Sequence, residues 1–300
     1  MKQNKAGKWL QAIRPFSLSG SVVPVILGAI LAIKEAPFHV DYFVLSVIAI
    51  VLLQAGVNLL SDYDDYVNKV DTKDSYGSSG VIFENLLAPS EVHKGGLTLM
   101  VLGSLIGLYL VYQRGWVVLL LGLIGALGGY CYTGKPLGLK YKGFGAPLVF
   151  LLFGPLMVLG SYYVQAQTMS FAAFLASIPV GFLTTAILHA NDIRDIEHDK
   201  KAGIKTLSIL AGRRKAIIVY YGLIILSYSF LLLGIVSKII PYWSLLCFAT
   251  IPAAIKMMSK LRASSQDVTG IIALDKETGR LQAQFGFLFV LSLLLSLIHF

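Results

Sequence analysis

Two short stretches gather carboxylates where an otherwise apolar chain turns polar. The first reads Asn58-Leu-Leu-Ser-Asp62-Tyr63-Asp64-Asp65, with Asp71 and Asp74 following. The second reads Asn191-Asp192-Ile-Arg194-Asp195-Ile-Glu197-His198-Asp199. In each, an Asn stands four residues before an Asp, as Asn58/Asp62 and Asn191/Asp195. Asp199 adds another step of four, and Asp192 stands three before Asp195. Residues three and four apart share a helix face, and like charges at that spacing repel. Carboxylates at the membrane are costly and mark function. A cation relieves both costs. Hard oxygen donors without Cys or His partners suit Mg²⁺, which prefers one or two carboxylates, waters and substrate phosphates to an all-protein cage. Two facing acidic helix ends therefore fit a diphosphate bridged by Mg²⁺. Arg194, Lys200, Lys201 and Lys205 stand beside the second cluster, and Lys135, Lys140 and Lys142 form another basic group able to hold phosphate oxygens. Acids at helix ends are often merely solvated, but two clusters with matched spacing argue for a site.

The elements that must carry these clusters follow from composition. Of 300 residues, 56% are hydrophobic and 14% charged, and the mean hydropathy is +0.74. Soluble domains carry about 25% charge, so an ordinary soluble enzyme and a disordered chain are both excluded. A spanning helix needs about 20 apolar residues. Uncharged intervals of 17 to 22 residues separate Arg14 from Lys34, Asp41 from Asp62, Lys94 from Arg114, Arg114 from Lys135, Lys215 from Lys238 and Lys238 from Lys256, and one more follows Arg280. The 49 positions between Lys142 and Asp192 are broken by the polar run Gln165-Ala-Gln-Thr168 and predict two further spans. The expectation is an all-α, polytopic membrane protein of nine helices, forming a single membrane-embedded domain over 1–300. The first apolar run is long enough to be a retained helix rather than a cleaved leader.

Orientation follows the positive-inside rule. With the N-terminus cytoplasmic, all but Lys34, Arg114 and Lys238 of the 25 basic residues fall inside, and so do all acids but Glu35 and Asp41. The C-terminus is then outside. Both acidic clusters lie on the cytoplasmic side of the cell membrane, beside inside segments 62–95 and 190–215. Because the basic residues follow topology, nucleic acid is not implied. No P-loop, HExxH or EF-hand pattern occurs. Two cysteines cannot build a disulfide framework or a four-ligand zinc site. Gly103 with Gly107, and Gly125 with Gly129, have small-xxx-small packing spacing.

On these residues the chain resembles the UbiA superfamily of intramembrane prenyltransferases, whose nine helices carry two Asp-rich motifs on the second and sixth. The match covers nearly the whole chain. It is most similar to the branch that prenylates 1,4-dihydroxy-2-naphthoate in menaquinone synthesis. The stretches that carry this are Trp9 to Leu18 with its Arg14-Pro15 pair, the acids at 62, 65 and 71, Tyr132-Thr133-Gly134, Lys140-Tyr141, Phe153-Gly154-Pro155 and, most specific, Ala186 to Leu207. Three positions depart from the pattern. Asp192 replaces the second of a usual Asn pair. Tyr76-Gly-Ser-Ser-Gly80 stands where an Arg-containing stretch is common. Ala146-Pro147 stands where the bacterial branch often has an acid.

The resemblance implies a polyprenyl diphosphate donor and an aromatic acceptor, handled within the bilayer. It implies Mg²⁺ held by Asp62, Asp65, Asp195 and Asp199. Asn58, Asn191, Asp71 and Asp192 would order ligands or substrate, and Lys140, Arg194 and Lys205 would hold phosphate oxygens. Tyr63, Tyr130 and Tyr132 are candidates to face the allylic cation. The prenyl tail would lie in an apolar groove between helices. Loop 66–95 is expected to cover the site, with Phe83, Leu86 and Leu87 docking on the membrane. His189 is a candidate acid–base group, although a packed histidine is the simpler reading. Other acceptors (4-hydroxybenzoate, homogentisate, a lipid alcohol) are the alternatives within the family. An ion-coupled transporter is the alternative outside it.

Overall fold

The computed structural model describes residues 4–72, 76–264 and 269–298, so Asp74 of the first cluster lies outside the described residues. Every regular element among them is helical, and nine helical segments are long and apolar enough to cross a membrane. A short helix α1 (Lys5–Ala12) precedes the first span, where the sequence predicts only a basic segment. Asn4 caps it by accepting from the Gly7 N–H at 2.8 Å. After a 3₁₀ turn at Pro15–Ser17 come α2 (Ser19–Ala32), α3 (Val40–Val67), α4 (Pro89–Arg114) and α5 (Trp116–Thr133). The fifth span is α6 (Gly145–Leu151) and α7 (Met157–Ala166), joined by a π-turn at Leu152–Leu156. Pro155 has no N–H to donate, so the ladder widens there. The run Gln165 to Thr168 does break the chain, and α8 (Phe171–Arg194) follows with Ser170 as its cap. Segment 190–215 holds α9 (Ile196–Lys201) and α10 (Leu207–Ala211). Helix α11 (Arg213–Val236), a 3₁₀ stretch at Tyr242–Thr250, α12 (Ile251–Ala263) and α13 (Leu274–Ile298) complete the chain.

Helix α8 is the axis of the bundle. In its most apolar window 61% of residues are buried, against 6% for α5, so α5 presents its surface to lipid. Buried hydroxyl pairs tie the later helices together. Tyr220 of α11 bonds Thr278 of α13 at 2.7 Å, and Tyr228 bonds Thr250 at 2.7 Å. At the end of the molecule away from the acidic clusters, Arg114 donates to the carbonyls of Val164 and Gln165, each at 2.6 Å.

Close backbone approach fixes two crossings. Gly154 and Gly181 touch almost Cα to Cα, so a Cβ on Gly154 would stand 3.0 Å from the Gly181 Cα. A Cβ on Gly28 would lie 2.2 Å from the Val158 carbonyl oxygen. Beside it Ser161 donates to the Val25 carbonyl at 2.6 Å, locking α2 to α7. Gly28→Val therefore has no room without parting the two helices. It is expected to abolish folded, monodisperse protein on size-exclusion chromatography, whereas Gly222→Val, with nothing near its Cβ, is expected to leave the profile unchanged. Of the glycine pairs noted above, Gly103 packs on Leu53 and Ala49, while Gly107 meets nothing.

Candidate active site

The two acidic clusters converge. Helix α3 carries the first and the α8–α9 junction the second, and Asp65, Asp71, Asp192, Asp195 and Asp199 all border one cavity of about 360 Å³. Asn58, Asn191, Tyr132 and Lys140 border it too, as do Arg14 and Asp275. Within its last turns α3 holds Asp62 and Asp65 at 3% and 2% exposure. Unpaired, such buried carboxylates cost several kcal/mol, and each has partners. Asp65 accepts from Lys140 Nζ and from the Tyr141 hydroxyl, both at 2.7 Å. Asp62 pairs with Arg14 and accepts from the Ser79 hydroxyl, with the Ser79 N–H at 3.2 Å.

On the opposite wall Arg194 grips Asp195 with two donors, at 2.8 and 2.9 Å, and bonds Asn191. Its remaining nitrogen reaches Asp275 at 2.9 Å and the Ile272 carbonyl at 3.3 Å. Asp275, on the first turn of α13, thus fastens the second cluster to the last helix. The two asparagines play different parts in this arrangement. Asn191 accepts from Arg194. Asn58 donates to the Ile13 carbonyl and to Ser17 Oγ, each at 2.9 Å, and so holds the turn that presents Arg14. Arg14 itself sits at φ 53°, a left-handed conformation rare outside glycine, and its Nε is buried with no partner among the described residues.

Three carboxylates on the cavity have no cationic partner within 4 Å among the described residues: Asp71, Asp192 and Asp199. Burial pushes the Asp199 carboxyl up to about 8. Asp192, Asp195 and Asp65 push the same way, against Lys140. Burial and then Asp65 likewise raise Asp71, against Lys140 and Arg14. Lys140 is held well above its ordinary value, because Asp65, Tyr132, Tyr141 and Asp71 outweigh its burial. No three of the acidic, His or Cys side chains among the described residues are close enough to enclose a metal ion. The reason is visible in the pairs above, since Arg14 and Lys140 each engage one carboxylate and Arg194 engages two. The donor set nonetheless suits Mg²⁺. All its donors are oxygens, and it carries more negative charge than its cations neutralise.

Residues 76–80 bridge the two clusters, as a covering loop would. Ser79 meets Asp62, a Cβ on Gly77 would stand 2.9 Å from Asp195 Oδ2, and the Tyr76 ring lies 6.0 Å from the Arg194 guanidinium. This segment fills the place where the family often has an arginine. Of the loop 66–95 residues expected to dock on the membrane, Leu86 and Leu87 pack inward. Leu87 is buried with Val81, Val92 and Leu59, and Leu86 packs on that cluster rather than standing free to dock on a membrane.

Not every predicted residue borders the cavity: Asp62 and Arg194 stand behind its lining, held against it through Arg14 and Asp195. Tyr63 does not line it and meets the His93 ring in a tilted contact, ring centres 4.4 Å apart. Tyr130 borders a second pocket, and Lys205 is exposed, tied in only through its N–H to the Tyr141 carbonyl at 3.1 Å. His189 is fully buried, with one ring nitrogen 2.9 Å from the Ala216 carbonyl, and is packed rather than facing the site. Sequence reasoning misses Ser79, Tyr141 and Asp275. Tyr141 adjoins Lys140 in a stretch that carries the family resemblance, whereas nothing in the sequence links Asp275 to Arg194, 81 positions away.

Away from its polar end the cavity becomes apolar, lined by Leu53, Leu121, Leu156, Val118, Leu110 and Val164. On α3 it runs from Asp65 to Ser46, about 28 Å at 1.5 Å per residue and close to the thickness of a hydrocarbon core. An anion-and-cation head joined to a long greasy channel inside a helical membrane bundle defines an enzyme for amphiphilic lipid substrates. The chain belongs to the UbiA prenyltransferase family, whose model matches residues 21–273. It is 31% identical over 286 residues to the 1,4-dihydroxy-2-naphthoate octaprenyltransferase of Bacillus subtilis (strain 168), covering 95% of this chain and 92% of the relative. It is 30% identical over 298 residues to UbiA prenyltransferase domain-containing protein 1 of Homo sapiens, covering 98% and 85%. Its fold matches a UbiA homolog from Archaeoglobus fulgidus bound to GPP and Mg²⁺ (TM-score 0.62, 18% identity, 94% of this chain and 99% of that one). It also matches the apo UbiA homolog from Aeropyrum pernix K1 (TM-score 0.66, 13% identity, 94% and 97%).

Proposed function

We propose that this prenyltransferase moves a polyprenyl group from an allylic polyprenyl diphosphate to 1,4-dihydroxy-2-naphthoate. The carboxylate of the ring leaves as CO₂, and demethylmenaquinol and diphosphate are the products. The observation that carries the reading is the meeting of both acidic clusters at the head of a channel that is otherwise apolar. The acceptor rests on the similarity to the Bacillus subtilis enzyme. We place the N-terminus and the acidic clusters on the cytoplasmic side, which the distribution of basic residues supports.

Asp62, Asp65, Asp195 and Asp199 are the carboxylates we assign to Mg²⁺, with Asp71 and Asp192 beside them. When bound, the metal would neutralise charge that develops on the leaving diphosphate. Arg14, Lys140 and Arg194 each have a second task. They balance carboxylates before substrate arrives and then donate to phosphate oxygens. Asn58 holds the Arg14 turn, and Asp275 holds Arg194. Residues 76–80 cover the head and keep water from the allylic cation. Tyr132, on the cavity wall, offers that cation a ring face. The electron-rich ring carbon attacks the cation, and loss of CO₂ restores aromaticity.

The test is an acceptor panel in membranes, using farnesyl or geranylgeranyl diphosphate and carboxyl-labelled 1,4-dihydroxy-2-naphthoate. Labelled CO₂ appearing one for one with a prenylated naphthoquinol supports the proposal. Prenylation of 4-hydroxybenzoate instead, with none of the naphthoate, discards this acceptor. The channel makes a separate prediction. A Cβ on Gly160 would meet nothing within 4 Å, and Gly160 borders the channel. Gly160→Phe is expected to shift the ratio of kcat/KM for short over long donors by about tenfold or more, read by competition between farnesyl and longer diphosphates.

A further inference from the structure

One carboxylate of the first cluster has no part in the site above. Asp64 lies beside Asp65 in sequence but on another face of α3, where it borders a second pocket of about 280 Å³ between α3, α4 and α5. We infer that this pocket is a vestibule that receives the aromatic acceptor, a hydroxylated aromatic carboxylic acid, before it enters the reaction cavity. This rests on the prenyltransferase reading above.

The lining has the complementary chemistry. Asp64 Oδ2 accepts from the Thr133 hydroxyl at 2.9 Å, while its other oxygen has no donor among the described residues and is free to accept from a phenol. Lys135, an exposed residue of the lining, makes no ion pair within 4 Å among the described residues. A ligand carboxylate is the natural partner for that ammonium. Two aromatic rings share the lining. The His93 ring is held by a tilted contact with Tyr63, ring centres 4.4 Å apart, and Tyr130 is 49% exposed. Hydroxyl acceptor, ring platform and carboxylate partner thus border one space of about 280 Å³. A lipid tail would find too many polar groups here, and a bare diphosphate would face Asp64.

The pocket also lies in the right place. Val57 and Gly129 border both this pocket and the reaction cavity. A Cβ on Gly129 would be 3.2 Å from Val57 Cγ2. On the α5 side the partition has no side chain at all, and on the α3 side it is a single valine. The head of the cavity is covered by residues 76–80 and Arg14. A long donor occupying the channel would leave the vestibule as the approach for a flat ring. The pocket level, near Asp65 along α3, delivers the ring to the allylic end of the donor rather than to its tail.

The experiment compares full-length wild type with Asp64→Asn and Lys135→Glu in nanodiscs. KM is measured separately for donor and acceptor, and each protein is photolabelled with an azido-hydroxybenzoic acid. A lost hydrogen bond to a charged group corresponds to about a tenfold or greater rise in acceptor KM, with donor KM unmoved. The label is expected on the Tyr130 and His93 peptides and should be reduced in both variants. Unchanged acceptor KM in both variants, with label confined to the Tyr132 wall, overturns the vestibule. If wild type transfers no prenyl group to any aromatic acid, the functional reading fails, and labelling at Tyr130 and His93 alone decides whether the pocket binds such acids. A collapse of both KM values together would mark a folding defect at Asp64. Lys135→Glu, at an exposed residue, is then decisive: a raised acceptor KM supports the vestibule, and an unchanged one overturns it.

Discussion

Asp195→Ala is expected to lower kcat for prenyl transfer by about 10²–10³-fold, the scale set by removing one preorganised stabiliser of developing charge. The geometry makes this variant severe for two reasons. It removes one of the carboxylates that oppose the first cluster, and it deprives Arg194 of both donors' targets on Asp195, leaving Asp275, Asn191 and the Ile272 carbonyl. Asp195→Asn separates these effects. It keeps an oxygen for Arg194 but loses the charge, so it should fold like wild type and remain nearly inactive. The check is a steady-state assay at saturating donor beside a thermal melt in detergent. Near-wild-type kcat in Asp195→Ala would remove the second cluster from the chemistry.

The second large effect is expected at Lys140. Its ammonium bonds a carboxylate that is 2% exposed, and only Tyr141 would remain to serve Asp65. Breaking one side of a buried pair is far more damaging than its net contribution suggests, because the remaining charge stays buried. Lys140→Met should therefore lower the melting temperature without Mg²⁺ and regain part of it when Mg²⁺ and diphosphate are added, as a cation again faces Asp65. Donor KM should rise by about tenfold or more, with Lys140→Arg recovering most of the loss. A melting temperature that falls equally with and without Mg²⁺ would show that Lys140 acts only in folding.

These residues also show where sequence reasoning succeeds and stops. The nine spans follow from intervals between charges, since lipid penalises each unpaired charge enough to leave a plain record in the chain. The site's acids are legible for the same reason, because the steps of four from Asn58 and Asn191 put them on helix faces. What local spacing cannot give is the choice among faces and distant partners. Tyr63 and Asp64 belong to the same acidic stretch as Asp62 and Asp65, yet successive residues on a helix point about 100° apart: Asp64 borders the second pocket, while Tyr63 packs on the cluster of Leu59, Val81 and Val92 and meets the His93 ring. Asn58 is expected to order ligands or substrate and does border the cavity, and its side chain also holds the Arg14 turn across 45 positions, a partner no spacing records. The ordering of residues 76–80 over both clusters depends on tertiary contacts of Ser79 and Gly77 that no periodicity records.

The central claim is that the two clusters form one diphosphate site with a divalent cation. The most direct measurement is binding of a non-cleavable geranylgeranyl thiolodiphosphate to the purified chain, titrated with Mg²⁺ and repeated in chelator. Binding is expected to require Mg²⁺ and to be lost both in Asp65→Asn and in Asp199→Asn, one change on each wall. Equal affinity in chelator, or binding that depends on only one of the two clusters, would contradict it.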